Sequence, residues 1–453
     1  MKRSILQKTI ILGVCLVLMA LSFSCRKKEE TPLYNIILIT VDALRADHMG
    51  AYGYPFNTSP NMDALAEKSV LFEFPYCTIP KTSASVASLL TGLHPFQHMT
   101  NPNRSKLLEQ HITLTEALKM RGYFNWAVVD NGNLSKRFNF NQGFDQYNQV
   151  WDHVEEKEES TPFITETVLD FLERDQREPF FMWAHYIETH SPYIPPEEFI
   201  EERPKGRIIK ELEHRIIAGE RPYIDQGMDE GYLLSLYDGA VKYIDHEIGT
   251  IIDLIFDKGL HENSIIIISS DHGEELGEYN YFYNHGALTF NSSTRVPLIF
   301  FAPHEEARRI RYPVSLMDVY PTLLDLAGLD LPYDIQGINL FKYDKDRKIM
   351  IWGRTKGYES FSVVYRNFHY VHLSDQNSRK LNLEKKYFFD IFQDPYEQDS
   401  ILSLHTKLAE SLDAAYRTKL DEFFRNMKGR ANEEETGLSE KEIKNLKTLG
   451  YIK

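Results

Sequence analysis

Runs of apolar residues, many β-branched, fall at 35–40, 126–129, 180–185, 265–270 and 297–301. They alternate with stretches at 59–69, 113–121, 163–174 and 232–258 whose apolar positions recur every three to four residues. The first set reads as short strands and the second as amphipathic helices. Nearly continuous apolar strands need cover on both faces. The pattern therefore predicts an α/β fold with a mostly parallel central sheet sandwiched by helices. In such folds ligands bind beyond the carboxyl ends of the strands.

A charged stretch at 197–231 interrupts this alternation and reads as an insertion near the site. Beyond Leu331-Pro332 the character changes. Runs at 361–365 and 369–373, joined by Arg366-Asn367-Phe368, predict a hairpin, followed by a strand at 387–392 and an amphipathic helix at 402–427. The expected organisation is a leader at 1–24, a catalytic α/β domain at 33–345 and a small C-terminal α+β subdomain at 346–453.

The leader reading rests on Lys2, Arg3 and Lys8 ahead of an apolar stretch at 9–23, too short for a comfortable membrane span. It closes on Leu21-Ser22-Phe23-Ser24-Cys25 and then turns polar. Small residues before such a cysteine resemble a bacterial lipobox, which implies an exported lipoprotein held in the cell envelope by a lipidated Cys25. Of the three cysteines Cys15 lies inside the leader and Cys25 at its end, leaving only Cys77 in the mature domain, so no internal disulfide and no cysteine metal site can form. The net charge of −15 offers no counterion release on a phosphate backbone, which argues against nucleic acid as a partner.

Four predicted strands deliver polar side chains to one rim. These are Asp42, then Asp130-Asn131, then Glu188-Thr189-His190, then Asp271-His272-Gly273. Any one aspartate there is commonly a turn former or helix cap. Several oxygen and imidazole groups converging suit a divalent cation better. A second element, Pro80-Lys81-Thr82-Ser83-Ala84-Ser85 leading to Gly92, reads as a loop entering a helix, with hydroxyls where the helix dipole favours anions.

Nearly the whole mature chain resembles the sulfatase branch of the alkaline-phosphatase superfamily. The resemblance runs from Asn35 through Asp42-Ala43-Leu44-Arg45 and Ser88-Leu89-Leu90-Thr91-Gly92 to His190-Ser191-Pro192-Tyr193. It continues through Ser270-Asp271-His272-Gly273-Glu274, Asn284-His285-Gly286 and Arg295-Val296-Pro297 to Leu449-Gly450-Tyr451. It implies an alkaline-phosphatase-like fold and a hydrolase of sulfate or phosphate esters. Asp42, Asp271 and His272, with Thr82, are the implied ligands of one divalent ion, Ca²⁺ first and Mn²⁺, Mg²⁺ or Zn²⁺ as alternatives. His190 and His285 are the implied substrate-side histidines, and Asn131 an implied donor to a charged substrate oxygen. The implied substrate is a small-molecule, glycan or lipid ester.

The nucleophile departs from the family pattern, in which Cys or Ser of a Cys-x-Pro-Ser-Arg motif becomes formylglycine. Counting back from Gly92 puts Thr82 at that position, with Ala84 and Val86 where Pro and Arg would stand. Threonine cannot give the aldehyde, so formylglycine is not expected. Cys77 reads as a buried thiol out of register. Two alternatives stay open: a phosphodiesterase or phosphoethanolamine-type transferase, and a lipoprotein that kept the fold as a binding module without catalysis.

Overall fold

All seven residues of β1 (Asn35–Val41) are buried. Its side chains divide with the period of a strand. Ile37, Ile39 and Val41 join Met182, Ile266 and Ile268 on one face of the sheet. Ile36 and Leu38 join Phe181, Trp183, Ile265 and Ile267 on the other. Each such side chain contributes about 1.5–3 kcal/mol by leaving water, so the centre of the sheet is the rigid reference for everything attached to it.

The computed structural model describes residues 33–100, 106–174, 177–200, 230–332, 335–355 and 358–428. The leader with Cys25, most of the insertion at 197–231 and the ending at 449–451 lie outside the described residues. Beside β1 the main sheet contains β2 (Val70–Phe72), β3 (Phe124–Val129), β4 (Gln146–Gln149), β5 (Phe180–Tyr186), β6 (Ser264–Ser270), β7 (Leu298–Phe301) and β8 (Arg308–Ile310). Their spatial order is β8-β2-β7-β6-β1-β5-β3-β4. Only β7 runs against the others. One face is covered by α1 (Pro60–Ala66), α4 (Ser160–Arg174) and α5 (Glu230–Asp257). The other carries α2 (Thr82–Thr91), α3 (Leu114–Met120) and α6 (Val319–Leu326). This is the mostly parallel sheet between helices that the hydrophobic pattern predicts.

The pattern did not predict β2, β4 and β8, which are only three or four residues long, nor α6. The C-terminal sheet also gains a strand. It is antiparallel, in the order β9 (Lys348–Thr355), β10 (Tyr358–Tyr365), β11 (Phe368–Leu373), β12 (Lys386–Asp390). Tyr365 pairs with Phe368, so the hairpin turns on Arg366 and Asn367 alone. Helix α7 (Thr406–Lys428) packs on this sheet through Tyr416, whose ring stacks on Phe361 with centroids 3.9 Å apart.

This sheet braces the loops of the larger unit. Ser360 Oγ and Asn377 Nδ2 donate to the Ala287 carbonyl at 2.8 and 3.0 Å, two residues after His285. Trp352 N donates to the Thr78 carbonyl at 3.0 Å, just ahead of α2. Among the described residues no helix is long and apolar enough to cross a membrane.

Candidate metal centre and active site

Strand register brings the rim together. Val41 lies opposite Tyr186 on one side and Ser270 on the other, so Asp42 and Asp271, each one residue further, emerge side by side. The chain turns at once beyond Asp42. Ala43 has φ +62°, and its N–H donates to Asp271 Oδ1 at 3.2 Å. A left-handed alanine costs about 1–2 kcal/mol, and here it ties the two aspartate loops together. Val129 lies opposite His185, which sets Asp130 and Asn131 at the same edge.

Thr82 opens α2, with Lys81 as its N-cap, and α2 ends on Gly92 at φ +67°, the predicted stop. Its hydroxyl lies 3.4 Å from Asp42 Oδ2 and 3.3 Å from His272 Nε2. His272 Nε2 lies 3.5 Å from Asp42 Oδ1 and 3.4 Å from Asp271 Oδ2. The other ring nitrogen, Nδ1, meets the Gly273 carbonyl at 2.8 Å. That bond fixes the proton on Nδ1 and turns the Nε2 lone pair to the centre, as a metal-binding histidine requires.

Electrostatics agree. Burial pushes His272 down to about 4, so it is neutral near pH 7. Burial, reinforced by the charge of Asp42, pushes Asp271 up to about 8. Burial acts to raise Asp42 too, but His185 and the neighbouring imidazoles hold it below the usual carboxylate range. Asp42 Oδ1 and Asp271 Oδ2 are buried without a hydrogen-bond partner, an arrangement that is costly unless a cation answers it. Ligands about 2.4 Å from one ion and about 90° apart are about 3.4 Å from each other, and the spacings here match that. The donor set fits a divalent cation held by Asp42, Asp271 and His272, with Thr82 beside them. Among the described residues no other group of three or more His, Cys, Asp or Glu forms such a cluster.

His190 and His285, the histidines that the resemblance singles out, meet next to this centre. His190 and His285 have ring centroids 5.0 Å apart, and His285 lies 4.1 Å from His272. Burial pushes His190 down to about 4, and its Nδ1 meets the Ser191 carbonyl at 2.7 Å. His285 Nδ1 faces the buried carboxylate of Glu274 at 3.1 Å. Lys157 Nζ donates to the carbonyls of His190 and Pro192 at 3.3 and 2.6 Å, tethering the His190 loop. Arg45 is an ion-pair partner, bound to Asp47 through both ends of its guanidinium and to Glu278 at 2.8 Å.

Some sequence expectations shift. The Asn131 amide donates to Asp42 Oδ2 at 2.6 Å and lies 3.4 Å from Thr82 Oγ1, so it serves the cluster itself. His185, buried within the apolar run of β5, sets Nε2 3.5 Å from Asp42 Oδ2. Its place one register step before the rim was the available signal. Glu274 closes the Ser270–Glu274 motif, whose spacing does not reveal its contact with His285, and Lys157 sits in an acidic run that gives no hint of its tether. Cys77 is buried with Sγ 3.9 Å from the Ser293 carbonyl, and burial pushes its thiol up, away from reactivity.

A carboxylate pair, an imidazole and a helix-end hydroxyl thus meet at the carboxyl rim of the sheet, in a chain that its relatives mark as a hydrolase acting on ester bonds. The chain belongs to the sulfatase family: the model described as "Sulfatase" matches residues 34–329. The model described as "N-sulphoglucosamine sulphohydrolase, C-terminal" matches residues 277–425. An arylsulfatase of Clostridium perfringens is 24% identical over 443 residues, covering 82% of this chain and 90% of that protein. The phosphonate monoester hydrolase of Agrobacterium radiobacter superimposes with a TM-score of 0.68 at 19% identity, covering 86% of this chain and 96% of that one. A structure in complex with its substrate D-glucosamine-2-N,6-O-disulfate also gives 0.68 at 19% identity, covering 88% and 100%. At that identity the two structures establish the fold.

Proposed function

We propose that this chain is a metal-dependent hydrolase of an anionic ester, with Thr82 as nucleophile and a phosphate ester as the favoured substrate. The observation that carries the reading is the position of Thr82 Oγ1, 3.4 Å from Asp42 and 3.3 Å from His272. Ser85 Oγ is turned to the Asp271 carbonyl at 2.6 Å, and Cys77 to Ser293. A divalent cation, when bound, supplies charge that lowers the pKa of a neighbouring hydroxyl and neutralises the ester oxygens.

The residues then divide the work. Thr82 gives up its hydroxyl proton to solvent and its Oγ attacks the central atom of the ester, the bond to the leaving oxygen breaks, and His285, supported by Glu274, donates that oxygen its proton. Water attacks the Thr82 ester in a second step, the bond to Thr82 Oγ breaks, and that oxygen regains its proton from solvent. His190, with Nδ1 on the Ser191 carbonyl, has Nε2 as its proton-exchanging nitrogen and takes the proton of that water. The need for the second step favours phosphorus. An aldehyde hydrate carries a second hydroxyl that can expel its ester by breaking a C–O bond. Threonine carries a methyl group there, so its ester is released only by attack at the central atom, which phosphorus tolerates well. Sulfate is the second reading, favoured by the family and by the relatives' names.

The substrate is proposed to be borne on a glycan or lipid, by analogy with the sugar disulfate bound by a structural neighbour. The leader adds the proposal of an exported lipoprotein anchored through Cys25. The mass of the mature N-terminal peptide tests it, and an unmodified Cys25 would sink it. The test of function is hydrolysis of matched nitrophenyl sulfate, phosphate monoester, phosphodiester and phosphonate with Ca²⁺, Mn²⁺ or Zn²⁺, in wild type and Thr82→Ala. Phosphorus turnover lost in Thr82→Ala supports the proposal, whereas sulfate turnover that survives it removes Thr82 from the role. No turnover and no stoichiometric metal would favour a binding module.

A further inference from the structure

The family motif places an arginine where this chain has Val86, and Val86 is 1% exposed in the apolar core under α2. The cation that this position would supply is therefore missing from that side of Thr82. A different cation adjoins Thr82 in the chain. Lys81, the residue before Thr82, is 4% exposed, although lysine is among the side chains least often buried. Its arm lies across the backbone of Gly286, next to His285. A Cβ on Gly286 would stand 2.1 Å from Lys81 Cε and 2.9 Å from Nζ. Gly286 has φ +90°, so glycine serves twice there, for the turn and for the passage of the arm. The Lys81 charge also reaches His272, whose protonation it opposes.

We propose that Lys81 is the substrate-binding cation of this site, its ammonium engaging a charged oxygen of the ester and standing in for the absent motif arginine. The proposal rests on the reading of Asp42, Asp271, His272 and Thr82 as the reaction centre. An anionic ester brought to two carboxylates needs positive charge beyond the metal. Lys81 provides it from a residue bonded directly to the nucleophile, so anion and hydroxyl are registered by one short segment. The ammonium is a point charge with three donors, where a guanidinium would grip two oxygens at once.

The test uses the full metal-loaded chain and inorganic phosphate as the probe, with binding read by calorimetry. Lys81→Met should weaken phosphate binding about 10- to 100-fold, the range of one charge-assisted hydrogen bond, with metal content unchanged. Lys81→Arg should retain binding within a few-fold of wild type. Gly286→Ala, which pushes a methyl group onto the arm, should weaken phosphate in the same direction, and an undiminished affinity there overturns the proposal even if Lys81→Met does not fold. Phosphate affinity equal to wild type in Lys81→Met, or equally lost in Lys81→Met and Lys81→Arg, also overturns it. Thr82→Ala run alongside separates the two readings. Turnover that survives in Thr82→Ala while Lys81→Met loses phosphate removes the nucleophile and leaves Lys81 standing. A dead Thr82→Ala beside a Lys81→Met of normal affinity does the reverse.

Discussion

His285 Nδ1 lies 3.1 Å from Glu274 Oε1, with both side chains buried. A carboxylate on Nδ1 orients the imidazole and stabilises its protonated form, so Nε2 is the nitrogen that delivers a proton. Glu274→Gln should therefore lower kcat about 100-fold for an alkyl ester, whose leaving oxygen needs a proton. A nitrophenyl ester, whose leaving group departs as a stable anion, should lose little. Steady-state kinetics on the two substrates decide the point. Equal losses on both would mean that Glu274 only shapes the loop.

The metal should bind in a pH-dependent way, with a sign set by Asp271. Without a cation the folded chain keeps a proton on Asp271 up to about pH 8, whereas the ordinary carboxylate value is 3.8. Between these values the folded state binds more protons than the unfolded one, so metal-free stability falls as pH rises. A cation takes the place of that proton, and its apparent affinity rises with pH by up to about tenfold per unit. Melting curves with calcium or a chelator should show a larger calcium shift at pH 8 than at pH 6. Asp271→Asn should abolish turnover and flatten this dependence. A calcium shift of equal size at both pH values would count against Asp271 as a ligand.

The parts of this molecule visible in sequence are those whose signal is local. The run Ile265-Ile266-Ile267-Ile268 declares a strand buried on both faces, and Asp271 with His272 follows at its end. Hence the rim could be listed before any fold was known. Strands such as Arg308–Ile310, with two exposed arginines, carry no such signal, because pairing with Val70–Phe72 makes them strands. The same distinction governs the site. Asp42 and Asp271 announce themselves at strand ends. The Asn131 amide turned out to face Asp42, and Lys157 to hold the His190 loop, through contacts between residues 89 and 33 positions apart in the chain. No spacing rule reaches across such distances.

Cys77 separates the two candidate nucleophiles cleanly. Its thiol is buried against Ser293, and burial, with the charge of Asp271 nearby, pushes it up from the ordinary thiol range. Cys77→Ala should keep turnover near wild type while losing about 1–2 kcal/mol of stability for the small cavity it leaves. Urea unfolding and kinetics on the same preparation measure both. Loss of turnover with the metal still bound would move the nucleophile from Thr82 to Cys77.

Asn131 distinguishes support of the metal from recognition of the substrate. Its Oδ1 accepts from the Asn133 N–H at 2.9 Å, which fixes the amide so that Nδ2 donates to Asp42 Oδ2 at 2.6 Å. Outer partners of this kind set the orientation and basicity of a ligand carboxylate, and their loss typically costs about 10- to 100-fold in metal affinity or activity. Asn131→Ala should therefore weaken calcium binding in that range by calorimetry, and saturating calcium should restore most of the turnover. If the amide instead served mainly to bind the ester, KM would rise while calcium affinity stayed at the wild-type value. The short bond to Asp42 makes the first result the expected one, because a donor committed to a ligand at that distance can turn to substrate only by leaving the carboxylate oxygen unsupported.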